Sequence, residues 1–477
     1  MTDSRADEEI PLISLTDDPT VIDHEELGEV ITPLPKLQIG ILLLVQLAEP
    51  ICSQCIYPFI NQLISELGVT GGDEKKLGYY AGIIESVFFF AEASCTLFWS
   101  FFSERIGRKP VLMTGMAGLV ISMTSFGLSK TFAGLVVSRC VAGLLNGNMG
   151  VVKGMMGELT DSTNRAQVSG LVPLVWAIGV TIGPFAGGSL SRPHKKFPTV
   201  FGNWFWEEYP YLLPCLFSAV FCAFCFILIW AFLKETVNKH RPPKDGGEVH
   251  PDHLYKSVPP LRAILTEPVV LSIASYLWIA FLDIALRALQ PLFFITPIRL
   301  GGLSMSPATI GLCLGIFGLL DGIAQGLLFA RVIRRVGLKR LFLTSMFCFI
   351  PMFALFPVVN HFAREWGRSP VVWSLVVFQL MINCVTEMGF ACAFLYITSA
   401  VESPRALASV HGIAQTAASL IRAVGPAMST SLFAYTLQHD WLGGLGVYIV
   451  LIAASLCGLP LAYKLPVNAW EYKRRNT

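Results

Sequence analysis

The chain has 477 residues, of which 53% are apolar and 14% charged, with 33 phenylalanines and a formal charge of +2; its mean hydropathy is +0.60. Soluble domains of this length do not carry so few charges, so lipid is the natural solvent. The small net charge, with no Lys/Arg block interleaved with aromatics, excludes a nucleic-acid partner.

Residues 1–36 form an acidic tail without an apolar h-region, expected to be disordered and cytoplasmic rather than a cleaved signal. Within it Glu8, Leu12 and Ile13 fit an acidic dileucine pattern that a sorting adaptor could grip. That pattern suggests the vacuolar membrane, with the plasma membrane as the next reading. Apolar runs of ~20 residues, the length that crosses ~30 Å of hydrocarbon, fall near 37–63, 78–102, 110–129, 132–154, 168–190 and 211–233. A polar linker at 234–267 separates them from six more, near 268–296, 308–331, 339–359, 370–397, 407–436 and 443–463, before a tail at 464–477. The expected fold is an all-α membrane protein of twelve transmembrane helices in two pseudo-symmetric six-helix bundles, 37–233 and 268–463. Lys and Arg concentrate in the tails and the loops on the side of the termini, which by the positive-inside rule makes both termini cytoplasmic.

The two halves carry matching punctuation. Arg105-Ile106-Gly107-Arg108-Lys109 after the second span is answered by Arg335-Val336-Gly337-Leu338-Lys339-Arg340 after the eighth. Arg165-Ala166, Gly170 and Gly183-Pro184 are answered by Arg405-Ala406, Gly412 and Gly425-Pro426. A near-constant offset of this kind argues for duplication of a six-span unit, the arrangement that lets two bundles rock about a central site.

These residues resemble the major facilitator superfamily from Leu37 to Leu465. Ser100-Phe101-Phe102-Ser103-Glu104-Arg105-Ile106-Gly107-Arg108-Lys109 is similar to that family's loop Gly-x-x-x-Asp-Arg-x-Gly-Arg-Lys, with Ser100 for glycine and Glu104 for aspartate. Span four carries Arg139, Gly143 and Gly147, similar to the family's buried-arginine motif. Gly179-Val180-Thr181-Ile182-Gly183-Pro184-Phe185-Ala186-Gly187-Gly188 matches the pattern of the antiporter branch and implies export or exchange. Glu49-Pro50, Pro58-Phe59, Trp99 and Asn146-Gly147-Asn148 look most like the fungal drug:proton antiporter-type group related to plant zinc-induced facilitator-like proteins. The resemblance implies a gate latch at Glu104, Arg105, Gly107, Arg108 and Lys109 that pairs across the halves in one state. It also implies a central cavity lined by the first, fourth, seventh and tenth spans, hence by Glu49, Arg139, Asp283 and Glu387. Physically, Gly179, Gly183 and Gly187 share one helical stripe where backbones can approach, and Gly311, Gly315, Gly318, Gly322 and Gly326 form a similar stripe in span eight. Such a stripe reads as a packing seam that also gates.

A charge at the bilayer centre costs at least ~2.5 kcal/mol on insertion scales, so each needs a partner, a watered cavity or a function. The mid-span charges are Glu49, Glu92, Arg139, Asp283, Arg287, Asp321, Glu387 and Arg422, with Glu85 shallower. Asp283 and Arg287 lie one turn apart and can neutralise each other, as a structural pair or a substrate-site pair. Glu49 has no cation in its own span and precedes Pro50, so it reads as a proton or cation carrier, or as an ion-pair partner of Arg139 or Arg422. Proton coupling needs a buried carboxylate that responds to water or to an arriving cation, a description that Glu49, Glu92 and Glu387 fit.

The twelve cysteines lie in or beside apolar runs rather than in polar loops, so no disulfide framework is expected. Cys52-x-x-Cys55 and Cys222-x-x-Cys225 have metal-like spacing, yet small apolar packing is the better reading. Cys52 and Cys55 stay as weak candidates for a soft cation, and His240, His250 and His253 read as part of a solvated linker. Glu402-Ser403-Pro404-Arg405 resembles a sugar-porter signature but falls in the wrong loop. No Walker loop, zinc-protease helix or nucleophile elbow is present, so no enzyme activity and no cofactor are expected. The expectation is a monomeric secondary transporter, proton-coupled, that exchanges or exports a small organic solute. A uniporter or a metal- or chelate-related facilitator is the alternative, and a non-transporting nutrient sensor is the competing class.

Overall fold

The computed structural model describes residues 33–160, 165–236, 265–401 and 404–467. The dileucine pattern, the three linker histidines and Glu402-Ser403 lie outside the described residues, as does the Glu104 side chain. Among the described residues the regular structure is helical throughout. The first half consists of α1 (Lys36–Cys55), α2 (Ile60–Glu66), α3 (Leu77–Ile106), α4 (Arg108–Leu128), α5 (Phe132–Leu145), α6 (Asn148–Glu158) and α7 (Arg165–Leu190). Three short turns follow, α8 (Pro193–Lys196), α9 (Pro198–Phe201) and α10 (Trp204–Glu208), and then α11 (Leu212–Phe232). The second half runs through α12 (Glu267–Ile295), α13 (Pro307–Ile323), α14 (Phe329–Val336), α15 (Leu338–Trp366), α16 (Pro370–Ala400), α17 (Pro404–Gln438) and α18 (Gly446–Tyr463). Only helices satisfy every backbone N–H and C=O within one segment in lipid.

Among the described residues, nine helical segments are long and apolar enough to cross a membrane. Helices α3, α7 and α17 stand at the expected second, fifth and eleventh spans. Outward-facing stripes such as Phe217, Val220, Phe224 and Ile227 on α11, or Leu312, Ile316, Leu319 and Ile323 on α13, are exposed. Helical spacing of these residues marks a lipid-facing surface.

Local chemistry sets the ends. Thr131 accepts a hydrogen bond from the Gly134 N–H at 3.1 Å and caps α5. Proline opens α12, α13 and α16, where its missing N–H costs nothing. Gly107 (φ 113°) and Gly337 (φ 88°) make the sharp reversals between α3 and α4 and between α14 and α15. Glycine alone adopts that backbone without strain, and its recurrence gives the sequence repeat a structural counterpart.

Two spans read as continuous are broken. The first divides at 56–59 into α1 and α2, and the fourth breaks at Asn146-Gly147 between α5 and α6. Trp99 of α3 causes the second break to hold: its indole N–H donates to the Leu144 carbonyl at 2.7 Å, and a Cβ on Gly147 would sit 2.3 Å from the Trp99 Cβ. A further irregularity, one π-turn over Ala324–Leu328, lies between α13 and α14 beside Asp321.

In the first half α1 packs on α7 and α11, α4 on α5 and α11, and α3 on α5. In the second, α12 packs on α16 and α17, and α15 on α16 and α18. Two helix pairs make most of the contact between the halves, α7 against α13 and α3 against α17.

Candidate functional site: a central charge array behind a closed seam

The inter-half seam is built from small residues at the end remote from the described chain termini. A Cβ on Gly311 would lie 2.4 Å from the Pro184 carbonyl oxygen, and one on Gly188 would lie 2.5 Å from that of Pro307. Farther along, Gly315 and Gly318 meet Thr181, and Gly322 meets Ala177. On the other pair, Gly78 and Gly82 of α3 lie against Thr430 and Ala427 of α17, and the Ala427 N–H donates to Ser86 Oγ at 3.0 Å. Tyr79 donates to Gln438 at 3.2 Å, and Arg299 pairs with Glu74 at 3.4 Å. Toward the opposite end the halves part: a Cβ on Gly326 or Gly412 would meet nothing within 4 Å, and Lys153 is exposed although it sits within a span.

The two glycine stripes therefore have different partners. Gly179, Gly183 and Gly187 do not face the other half; they lie on α1, against Pro50, against Ile51 and Gln54, and against the Cys55 carbonyl. Of the motif's glycines Gly188 reaches the span-eight stripe, with Ala177, Val180, Thr181, Pro184 and Phe185 beside it. The antiporter-type stripe thus clamps the proline bend that carries Glu49.

At the level of that bend lies the first charge cluster. Glu49 Oε2 is sealed from solvent with no hydrogen-bond partner. Arg422 of α17 and Lys153 of α6 are close enough to act on its charge. Glu92 of α3 accepts a hydrogen bond from Asn146 Nδ2 at 3.1 Å. Arg139 lies over the Phe88 ring, 4.3 Å from its centroid, with its Nε buried and unpartnered. The tight ion pair of Glu49 with Arg139 or Arg422, the alternative reading of that residue, is not formed: among the described residues no ion pair within 4 Å involves any of the three. Arg139 is held on the aromatic face of Phe88 instead, and Arg422 acts on Glu49 from a longer distance. Glu85, read as shallow, is 3% exposed, with Arg139 and Tyr57 facing it.

A second cluster forms in the other half. Arg287 Nε donates to both oxygens of Asp283, at 2.9 and 2.8 Å, and its Nη2 contacts Glu387 of α16. The intrahelical pair seen in sequence is thus part of a three-residue network, with side chains only 11–16% exposed. Asp321 lies within electrostatic reach of Arg287. Tyr57, at the turn after α1, is near Arg287 and Asp283 on one side and Glu85 and Arg139 on the other, so it stands between the clusters. A small cavity there is lined by Gln54, Tyr57, Arg287, Gln290, Phe317 and Asn383.

Arg108 and Lys109 of the mouth motif make their described contacts with the first half and with the start of the linker. Arg108 pairs with Glu158 of α6 at 3.0 Å and reaches Ser103 at 2.5 Å. Glu235, where the linker begins, accepts hydrogen bonds from the backbone N–H of Arg108 at 2.9 Å and Lys109 at 3.1 Å. Lys109 Nζ donates to the Trp230 carbonyl at 2.9 Å, and Thr236 donates to Glu158. Gly107 is required here, since a Cβ would lie 2.4 Å from Glu235 Oε2, and Arg105 is exposed. Glu235 escaped the sequence reading because it lies outside the motif loop.

The cysteine pairs read along the helices turn out to pair across them. Cys52 Sγ of α1 and Cys222 Sγ of α11 are 3.3 Å apart, while Cys55 Sγ donates to the Pro214 carbonyl at 3.4 Å. Among the described residues no group of three or more His, Cys, Asp or Glu side chains is arranged to hold a metal.

Comparisons with known proteins agree with this architecture. The family model of the Major Facilitator Superfamily matches residues 42–466. The chain is 30% identical to the efflux pump azaK of Aspergillus niger, over 95% of each chain. It is 27% identical to ZINC INDUCED FACILITATOR 1 of Arabidopsis thaliana, over 92% of this chain and 93% of that one. The crystal structure of a D-xylose–proton symporter superposes with a TM-score of 0.67 at 12% identity, covering 90% of this chain and 98% of the other; that likeness concerns the fold. The chain belongs to the major facilitator superfamily and is a multi-pass membrane transporter with fungal efflux pumps and plant zinc-induced facilitators among its relatives.

Proposed function

We propose that this transporter is a proton-coupled exchanger that exports a small organic solute by alternating access. The observation that carries the reading is Glu49: a carboxylate at a proline bend, clamped by the α7 glycines, with one oxygen sealed and unpartnered and with cations near but not bonded. A carboxylate so placed can exchange a proton for a cargo without first breaking an ion pair. On this reading the Asp283–Arg287–Glu387 network forms a second polar wall along the transport path. The efflux-pump relative supports export as the direction.

On this reading both termini are cytoplasmic, so the seam closed here faces the opposite compartment and the cavity opens to the cytoplasm. The chain works as a monomer in the vacuolar or plasma membrane, and a sorting adaptor reads Glu8, Leu12 and Ile13. Replacing Leu12 and Ile13 by alanine should redirect the protein; unchanged localisation removes the adaptor from the account.

The functional test is transport by the purified protein in liposomes under an imposed pH gradient, screened against organic cations, weak acids and zinc chelates. The wild type should accumulate its cargo against the gradient. Glu49→Gln should lose gradient-driven accumulation at normal expression, and normal coupling in that variant sinks the assignment.

A further inference from the structure

One buried carboxyl, Glu85, has no part in the Asp283–Arg287–Glu387 network and, among the described residues, makes no ion pair within 4 Å. Glu85 leaves α3 one turn along from Gly82, at the place where Gly82 lies against Thr430 Oγ1 and the Ala427 backbone. The next residue, Ser86, takes the Ala427 N–H across the same seam. Glu85 is 3% exposed, and its Oε2 has no hydrogen-bond partner. The charged and titratable groups that face it are Arg139 from α5 and Tyr57 from the turn after α1. At this contact α17 presents Thr430, Ala427 and Pro426, none of which titrates or carries charge, and Arg422 of α17 acts on Glu49 and Glu92 instead. Arg139 is itself stacked on Phe88 and shared with Glu92, so no cation is dedicated to Glu85.

An ionised carboxylate sealed without a partner is costly, whereas the neutral acid carries no charge to compensate. Gly82 and Ser86, on either side of Glu85 along α3, both meet α17, so Glu85 lies at the α3–α17 seam, one of the two places where the halves separate in alternating access. We propose that Glu85 is a second proton-binding carboxyl, distinct from Glu49, which takes up a proton from the remote side when α3 and α17 part and holds it as the seam closes. This rests on the exchanger reading and deepens it by giving the proton an entry on the far side. Protonation and seam closure are then linked, so one proton changes the ratio of open to closed seam by up to about tenfold per pH unit.

The test needs no cargo. Spin labels are introduced as non-canonical amino acids at positions 76 and 439, which keeps the native cysteines. Lys76 and His439 are exposed at the seam ends of α3 and α17. Pulsed EPR on the full-length protein in lipid nanodiscs then reads seam width across a pH series. In the wild type the open fraction should rise with pH. Glu85→Gln, which mimics the neutral acid, should hold the seam closed and remove that slope, and Glu85→Asp should keep it. A slope unchanged in Glu85→Gln, or absent from the wild type, overturns the inference. Failure of the Glu49 assignment appears elsewhere, in cargo flux under a pH gradient, and Glu49→Gln should leave the seam's pH slope in place.

Discussion

Gly311→Ala tests whether the α7–α13 contact is a gate rather than static packing. The added Cβ would stand 2.4 Å from the Pro184 carbonyl oxygen and 2.8 Å from the Gly188 Cα. Both are backbone atoms, so no side-chain rotation relieves the clash. Overpacking of this kind costs ~1–3 kcal/mol, and it falls only on the closed-seam state because the two helices belong to different halves. At ~2 kcal/mol the ratio of open to closed seam rises about 30-fold, since ~1.4 kcal/mol is a factor of ten. Pulsed EPR across the remote seam reads that ratio directly. Gly326→Ala, where a Cβ meets nothing within 4 Å, should leave it unchanged. Gly187→Ala is the contrasting case: its Cβ would lie 1.9 Å from the Cys55 carbonyl oxygen inside the first half, so it should lower thermal stability in every state. A seam distribution identical in Gly311→Ala and wild type refutes the gate.

Arg287→Met strands Asp283 and Glu387, and removing one partner of a buried ion pair costs ~3–5 kcal/mol. We expect a marked fall in melting temperature of the solubilised protein, largely recovered when Asp283→Asn and Glu387→Gln are added; a wild-type melting temperature for Arg287→Met argues against the network. Glu235→Gln weakens two charge-assisted hydrogen bonds at the start of α4, worth about 1–2 kcal/mol together with the helix dipole. Hydrogen exchange at the Arg108 and Lys109 amides should accelerate, and unchanged protection there removes Glu235 as the anchor of the mouth motif.

What the sequence disclosed, and what it hid, follows from the range of each interaction. Apolar length gave most helices within a few residues, and Asp283–Arg287 was legible because both lie on one helix, four residues apart. Glu387 on Arg287 was not, because that contact depends on how α12 and α16 cross. The burial of Glu85 was hidden for the same reason, since the groups that face it, Arg139 and Tyr57, stand on other segments of the chain. The Gly179–Gly187 stripe was visible as a close-approach face, yet its partner was not: periodicity names a face without saying which helix meets it. Asn146-Gly147 was noticed as a motif, but the break there depends on Trp99, which lies in another helix.

Proton exchange itself is tested most directly by following both species in one vesicle. With the purified protein in sealed liposomes and a pH-sensitive dye inside, addition of a transported cargo without any imposed gradient should drive protons in the direction opposite to the cargo, and Glu49→Gln should abolish that proton movement. Cargo that crosses with no accompanying change of internal pH in the wild type would contradict the account.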